Sequence, residues 1–258
     1  MTMKQFQKDL LCVQIYDSRN SMGLAAAKDF AAEVHRLLEE KDRIRVVFAA
    51  APSQNEFLSA IASDPSIDFS RIDAYHMDEY IGLDPHAPQA FGQFLRDRLF
   101  SLCPFHSVSY IDGSCPDPEK AARDYAEKLA EKPIDIVCMG IGENGHIAFN
   151  DPAVAFFDDP LDVKKVPLDE ICRTQQVHDG CFSALDLVPT HALTLTVPRL
   201  VRAGKHFCVV PAPTKATAVK RMLEGPVDES CPCTILRQVP GAVLYLDPDS
   251  SALLTKLS

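Results

Sequence analysis

Along this chain, short unbroken apolar runs alternate with longer stretches whose apolar positions recur at helical spacing. The short runs predict strands over residues 11–16, 44–50, 72–76, 134–141, 192–197, 206–210 and 242–246. The longer stretches predict helices over 21–40, 55–63, 89–99, 119–131 and 214–224. In the first of these, Leu24, Ala27, Phe30, Ala31, Val34 and Leu37 mark the apolar side, and Asn20 or Ser21 is placed to cap its start. The last is closed by Gly225-Pro226, a helix stop in the expected order. The runs 44–50 and 134–141 show no polar alternation, the look of strands buried on both faces. Strands alternating with helices predict an α/β fold of three layers: a doubly wound, mostly parallel, Rossmann-like sheet with helices on both faces. Ligands of such sheets sit at the carboxyl ends of strands, so chemistry is expected in the loops after Ala50, His76, Ile141 and Val210.

Composition narrows this picture. The 258 residues, 47% hydrophobic and 24% charged, suffice for one domain spanning 1–258 with a core of good size. A formal net charge of −10, from 36 acidic and 26 basic residues, argues against nucleic acid and anionic membrane as partners, because both need a basic face. A small anionic substrate remains compatible, since a few local cations and backbone N–H groups bind it. The 9 cysteines, mostly in apolar runs, read as buried free thiols in a reducing compartment. Cys231-Pro232-Cys233 is the one close pair, and its one-residue gap is not a common zinc or thioredoxin spacing, so no metal is expected. The first residues lead into Asp and Gln rather than an apolar signal core, and no run is long enough to span a bilayer. A cytoplasmic location is the expectation, with a homo-oligomer left open.

Four loops hold the candidate chemistry. Residues 140–152 carry Gly140, Gly142 and Gly145 directly after an apolar strand, then His146 and, five positions on, Asp151. Imidazole and carboxylate within one loop form an oriented acid–base pair, or else this is a Gly-rich turn with a capping histidine. Spacing alone leaves both readings open. Asp78 and Glu79 follow the strand 72–76, either as working carboxylates or as the acidic first turn of a helix. In the loop 49–57, Ser53 and Gln54 precede a helix start, a plausible but glycine-free anion site or a simple cap. Lys215 opens the helix after Val210, where the dipole disfavours a cation unless an anion is bound beside it. The remaining histidines, His178 least clearly, read as surface or packing residues.

Taken together these segments resemble the glucosamine-6-phosphate deaminase family, which also includes the 6-phosphogluconolactonases. The likeness runs in order from the helix at Ser21 to Tyr245, and is densest in Met77-Asp78-Glu79-Tyr80-Ile81-Gly82-Leu83 and Gly145-His146-Ile147-Ala148-Phe149-Asn150-Asp151-Pro152. Both segments favour the deaminase branch. The resemblance implies an isomerisation without metal or cofactor, in which the sugar ring opens, a proton moves between neighbouring carbons, and ammonia leaves. By position, Asp78 is implied as the base at the carbon bearing the amine and His146 as the group that assists ring opening. Asn144 and Asp151 are implied to orient that histidine, and Lys215 to contact the substrate phosphate. Ser53, Gln54, Glu79 and Gly145 are further candidates for holding the amino-sugar phosphate.

Four departures from the family pattern stand out. Asn144 stands where some members carry aspartate. Asp151 replaces a glutamate and is one methylene shorter, which leaves open whether it reaches His146. Ala51-Pro52-Ser53-Gln54 replaces a Gly-Gly phosphate loop, and Cys181 falls where an arginine often helps to hold the phosphate. Two alternatives share the fold: a lactone hydrolase, and a sugar-phosphate-binding homologue without catalysis.

Overall fold

The apolar runs form the middle of an eight-stranded sheet in the computed structural model, which describes residues 2–255. Its strands are β1 (Thr2–Lys8), β2 (Leu11–Tyr16), β3 (Ile44–Phe48), β4 (Ile72–His76), β6 (Ser107–Ser109), β7 (Ile136–Met139), β10 (Lys205–Val210) and β11 (Ala242–Leu246). Three others, β5 (Asp78–Tyr80), β8 (Val163–Pro167) and β9 (His191–Leu195), form a separate antiparallel sheet in the order β5-β9-β8. The large sheet runs β1-β2-β11-β10-β7-β3-β4-β6, parallel throughout except for the β1–β2 hairpin. From β3 the chain steps outward through β4 to β6. It then returns to lay β7 on the other side of β3 and steps the opposite way through β10 to β11. The order therefore reverses between β3 and β7, and the crevice outside their carboxyl ends is the place such a sheet offers to a ligand.

Strand periodicity divides the core between the two faces. Val46, Phe48, Ile136 and Cys138 point into one face, and Val47, Val137 and Met139 into the other. Both sets are buried, as a doubly covered sheet requires. Helix α1 (Arg19–Glu40) packs on the first face through Phe30, whose ring meets Phe57 and Phe207 edge-on. Its cap is Ser18 rather than Asn20 or Ser21, and Ser21 closes a capping box by bonding back to the Ser18 backbone.

The other helices are α2 (Asn55–Ala62), α3 (Phe91–Leu95), α4 (Pro118–Ala130), α5 (Glu170–His178), α6 (Val197–Val201) and α7 (Ala216–Glu224). The predicted helix 89–99 is shorter in its α part and continues as a π turn, Arg96–Phe100. The predicted strand 192–197 belongs to the small sheet and stops at Leu195, because Thr196 caps α6 by accepting from the Arg199 N–H. Among the described residues no helix is long and apolar enough to cross a membrane.

Candidate active site

A cavity of about 380 Å³ opens at the β3/β7 crevice, between the loops after β3, β4, β7 and β10 and the helices α3 and α5. Four of the sequence candidates line it: Asp78, His146, Lys215 and Ser53. The others stand behind them or face elsewhere.

Asp78 is the first residue of β5, only 6% exposed, and its carboxylate accepts no hydrogen bond among the described residues. Burial, reinforced by the neighbouring Glu79 carboxylate, pushes its pKa well above the usual carboxylate range. Fully buried His76 holds the backbone of Asp78 itself. The Ile111 N–H donates to His76 Nε2 at 2.9 Å, so Nδ1 carries the proton and donates to the Asp78 carbonyl at 3.0 Å. Burial, partly opposed by that bond, lowers the His76 pKa to about 4 and keeps the ring neutral.

Glu79 points the opposite way, as the next residue of a strand must. Its carboxylate accepts from the backbone N–H groups of Tyr80, Phe91 and Gly92 at 3.0, 3.0 and 2.8 Å, capping α3, and it does not line the cavity. Burial raises its pKa against those three bonds.

His146 is carried by a turn that only glycines allow. A Cβ on Gly142 would lie 2.1 Å from His146 Cε1, and Gly145 sits at φ +89° against Cys231. The Gly142 N–H donates to the His146 carbonyl at 2.9 Å. Asn144 binds the turn together: its carbonyl accepts from the His146 N–H at 2.9 Å, and its amide donates to Asp151 and Asp169, each at 3.0 Å. The shorter Asp151 does reach the imidazole, with Oδ1 lying 3.1 Å from His146 Nδ1. The two groups are in contact, though Nδ1 forms no hydrogen bond of good geometry. Burial pushes the Asp151 carboxyl up, but His146, Asn144 and the Asp169 N–H together outweigh it and hold the pKa below the ordinary value. Asn150, fully buried, ties the turn to the small sheet through its bond to the Leu195 carbonyl at 2.8 Å.

Ligand atoms of His146, Asp151 and Cys172 converge within 4.8 Å, all buried. Burial and the nearby carboxylates of Asp151 and Asp169 push the Cys172 thiol well up, making it a neutral neighbour of the pair. Cys231 and Cys233 face each other at 3.6 Å beneath Gly145.

Lys215 lies in the single turn Pro213–Lys215 that opens α7. It is 4% exposed, and Nζ has no hydrogen-bond partner among the described residues. Burial lowers its pKa, opposed by the carboxylates of Asp179 and Glu143. Gln54 does not line the cavity; its amide is a strut, donating to the Val209 carbonyl at 3.1 Å and to Ser53 Oγ at 3.0 Å. The sequence reading missed other lining residues, among them Arg19, Arg98, Gln176 and Asp179. Arg19 and Gln176 sit on α1 and α5, Arg98 on the π turn after α3 and Asp179 just past α5, and only the fold brings them to the cavity.

One unbonded buried carboxylate, an imidazole backed by an ionised carboxylate and an unpaired buried ammonium thus share one crevice. That set suits proton transfers on a substrate tethered by a negative charge.

Residues 17–159 match the family described as glucosamine-6-phosphate isomerases/6-phosphogluconolactonase. The chain is 36% identical over 182 residues to a glucosamine-6-phosphate deaminase of Exiguobacterium sp., covering 70% of each. Its backbone superposes on a monomeric glucosamine-6-phosphate deaminase with a TM-score of 0.86 at 24% identity, over 94% of this chain and 99% of that one. A 6-phosphogluconolactonase from Thermotoga maritima shares the fold with a TM-score of 0.74 at 20% identity, over 92% and 99%.

Proposed function

The chain belongs to the family of the glucosamine-6-phosphate isomerases and 6-phosphogluconolactonases, and on that premise we propose that it is an amino-sugar-phosphate isomerase/deaminase. It converts glucosamine-6-phosphate, or its galacto epimer, and water into the ketose 6-phosphate and ammonia. The observation that carries this reading is Asp78, a buried carboxylate with no partner, set in one cavity with His146 and Lys215.

In this reading His146 exchanges a proton with the ring oxygen as the sugar opens, and Asp151 beside it stabilises the imidazolium form. In the open chain the carbon bearing the amine adjoins the aldehyde, so its C–H bond is acidic. Asp78 takes that proton while the electron pair forms the double bond between carbons 1 and 2. The proton returns at carbon 1, and the imine left at carbon 2 adds water and expels ammonia. A buried carboxylate with a raised pKa is the stronger base once ionised, and it retains the proton between the two steps. No hydride moves, so the sequence of steps calls for no redox cofactor. The reading also takes a reducing, cytoplasmic setting, which the free state of Cys12, Cys103 and the other thiols supports.

Ammonia release over a panel of amino-sugar phosphates tests the proposal, with a 6-phosphogluconolactone as the counter-substrate. Ammonia formed together with ketose phosphate supports it. Lactone hydrolysis without ammonia would replace it with a hydrolase.

A further inference from the structure

Three cations line the cavity among the described residues: Arg19, Arg98 and Lys215. They are not equally available. Arg19 is already engaged, its Nε bonded to Glu56 Oε1 at 2.8 Å and a terminal nitrogen to the Pro52 carbonyl at 2.5 Å. Lys215 is free but faces the charge of Asp179, which also lines the cavity. Arg98, from the π turn after α3, is held at two points that leave its fork open. Its Nε donates to Asn55 Oδ1 at 3.0 Å, and its guanidinium carbon stands 4.0 Å over the Phe94 ring. Neither of its terminal amino groups hydrogen-bonds to a described residue.

Arg98, Asp179, Cys181 and Lys215 all line this one cavity. The Arg98 charge is felt at the Cys181 thiol, and Asp179 is felt at both Cys181 and Lys215. The turn 179–181 lines the same cavity as both cations, and an added Cβ on Gly180 would meet nothing within 4 Å. Cys181 brings no charge of its own: burial, with Asp179 adding to it and Arg98 opposing, pushes its thiol up to about 11. A phosphate monoester carries about −1.5 to −2 charges near neutrality. Lys215, set against Asp179, does not match that charge alone. A second fixed cation is needed, and an arginine fork held by stacking and by one hydrogen bond loses little freedom on engaging phosphate.

We propose that Arg98 is a substrate-binding residue which, with Lys215, brackets the phosphate and supplies the charge that Cys181 lacks. This rests on the sugar-phosphate reading above for the identity of the anion, and it assigns to α3 and its π turn a part in substrate recognition.

The test measures inorganic phosphate binding by calorimetry, and steady-state kinetics on glucosamine-6-phosphate, for the parent, Arg98→Ala, Arg98→Lys and the double variant Arg98→Ala with Cys181→Arg. Arg98 is exposed, so the variants fold, and their ligand-free melting temperatures verify this. Arg98→Ala is expected to weaken phosphate binding and to raise KM by about tenfold to a hundredfold, with the loss in KM rather than kcat. Arg98→Lys recovers part of the loss, and the added arginine at position 181 recovers more. Phosphate affinity and KM both within about twofold of the parent would overturn the proposal. If the parent releases no ammonia from any amino-sugar phosphate while Arg98→Ala still loses phosphate, the isomerase reading fails and the anion site stands. If the parent turns over and Arg98→Ala changes nothing, only the anion site fails.

Discussion

Around the His146 turn the polar groups are tied to one another, whereas around Lys215 they are left waiting. Asn144, Asp151, Asp169 and the His146 backbone form a closed set of hydrogen bonds, and Asn150 pins that set to the small sheet. Across the cavity, Lys215 is buried without a partner and Arg98 holds its fork open. In the proposed reaction, proton transfer needs donor and acceptor closely fixed, and the tied His146 turn suits that need. Attraction between a dianion and cations is longer-ranged and less directional, and several arrangements satisfy it. In the proposed reading the departures at Ala51–Gln54 and Cys181 lie on the side that holds the anion, and those at Asn144 and Asp151 lie within the tied turn.

Three substitutions separate the two walls, the largest effect first. Asp78→Asn is expected to lower kcat by roughly a thousandfold, within the range of a lost general base. Its affinity for inorganic phosphate, measured by calorimetry, stays at the parent value; a parallel loss of phosphate would mean the walls are not separable. Lys215→Met raises KM by about tenfold to a hundredfold. The same change raises the melting temperature, because it removes a buried cation whose charge burial opposes and no side chain pairs. A higher KM with a lower melting temperature would mean that Lys215 is a packing residue.

Asp151→Asn strikes the tied wall instead. It leaves one donor facing an amide in place of an acceptor and costs about 1–3 kcal/mol in chemical denaturation at neutral pH, with a lower kcat. The folded Asp151 carboxyl titrates below its unfolded value of 3.8, so its contribution is fully present above that value. It is lost as pH falls through the folded pKa, so the deficit of the variant shrinks in acid. A deficit independent of pH would show that the charge of Asp151 is not what stabilises the turn.

How far the sequence reveals these walls depends on how local their determinants are. The strands β3, β7 and β10 are continuous apolar runs that mark the loops to inspect, while the strand order that puts the crevice between β3 and β7 is visible only in the fold. His146 and Lys215 stand in loops at the carboxyl ends of β7 and β10, although spacing alone leaves a capping role open for His146. Strand β1 is mostly polar, β5 has three residues, and β8 reads Val-Lys-Lys-Val-Pro; each is a strand because of the neighbour it pairs with. Helix α5 carries only a weak apolar face, and it becomes a wall of the cavity by tertiary placement. The different fates of Asp78 and Glu79 follow from strand alternation, which becomes visible once 78–80 is known to be a strand rather than a loop. Arg98 gives no local signal, because its position on the cavity depends on how α3 and its π turn pack against α2.

In the proposed reaction the proton leaves the amine-bearing carbon inside this cavity. Glucosamine-6-phosphate deuterated at carbon 2, followed by NMR to complete turnover, tests this most directly. Ketose phosphate and ammonia are expected in equal amounts, with the deuterium carried to carbon 1 or released into water. An aldose or hydrolysed product that keeps its deuterium at carbon 2 would contradict it.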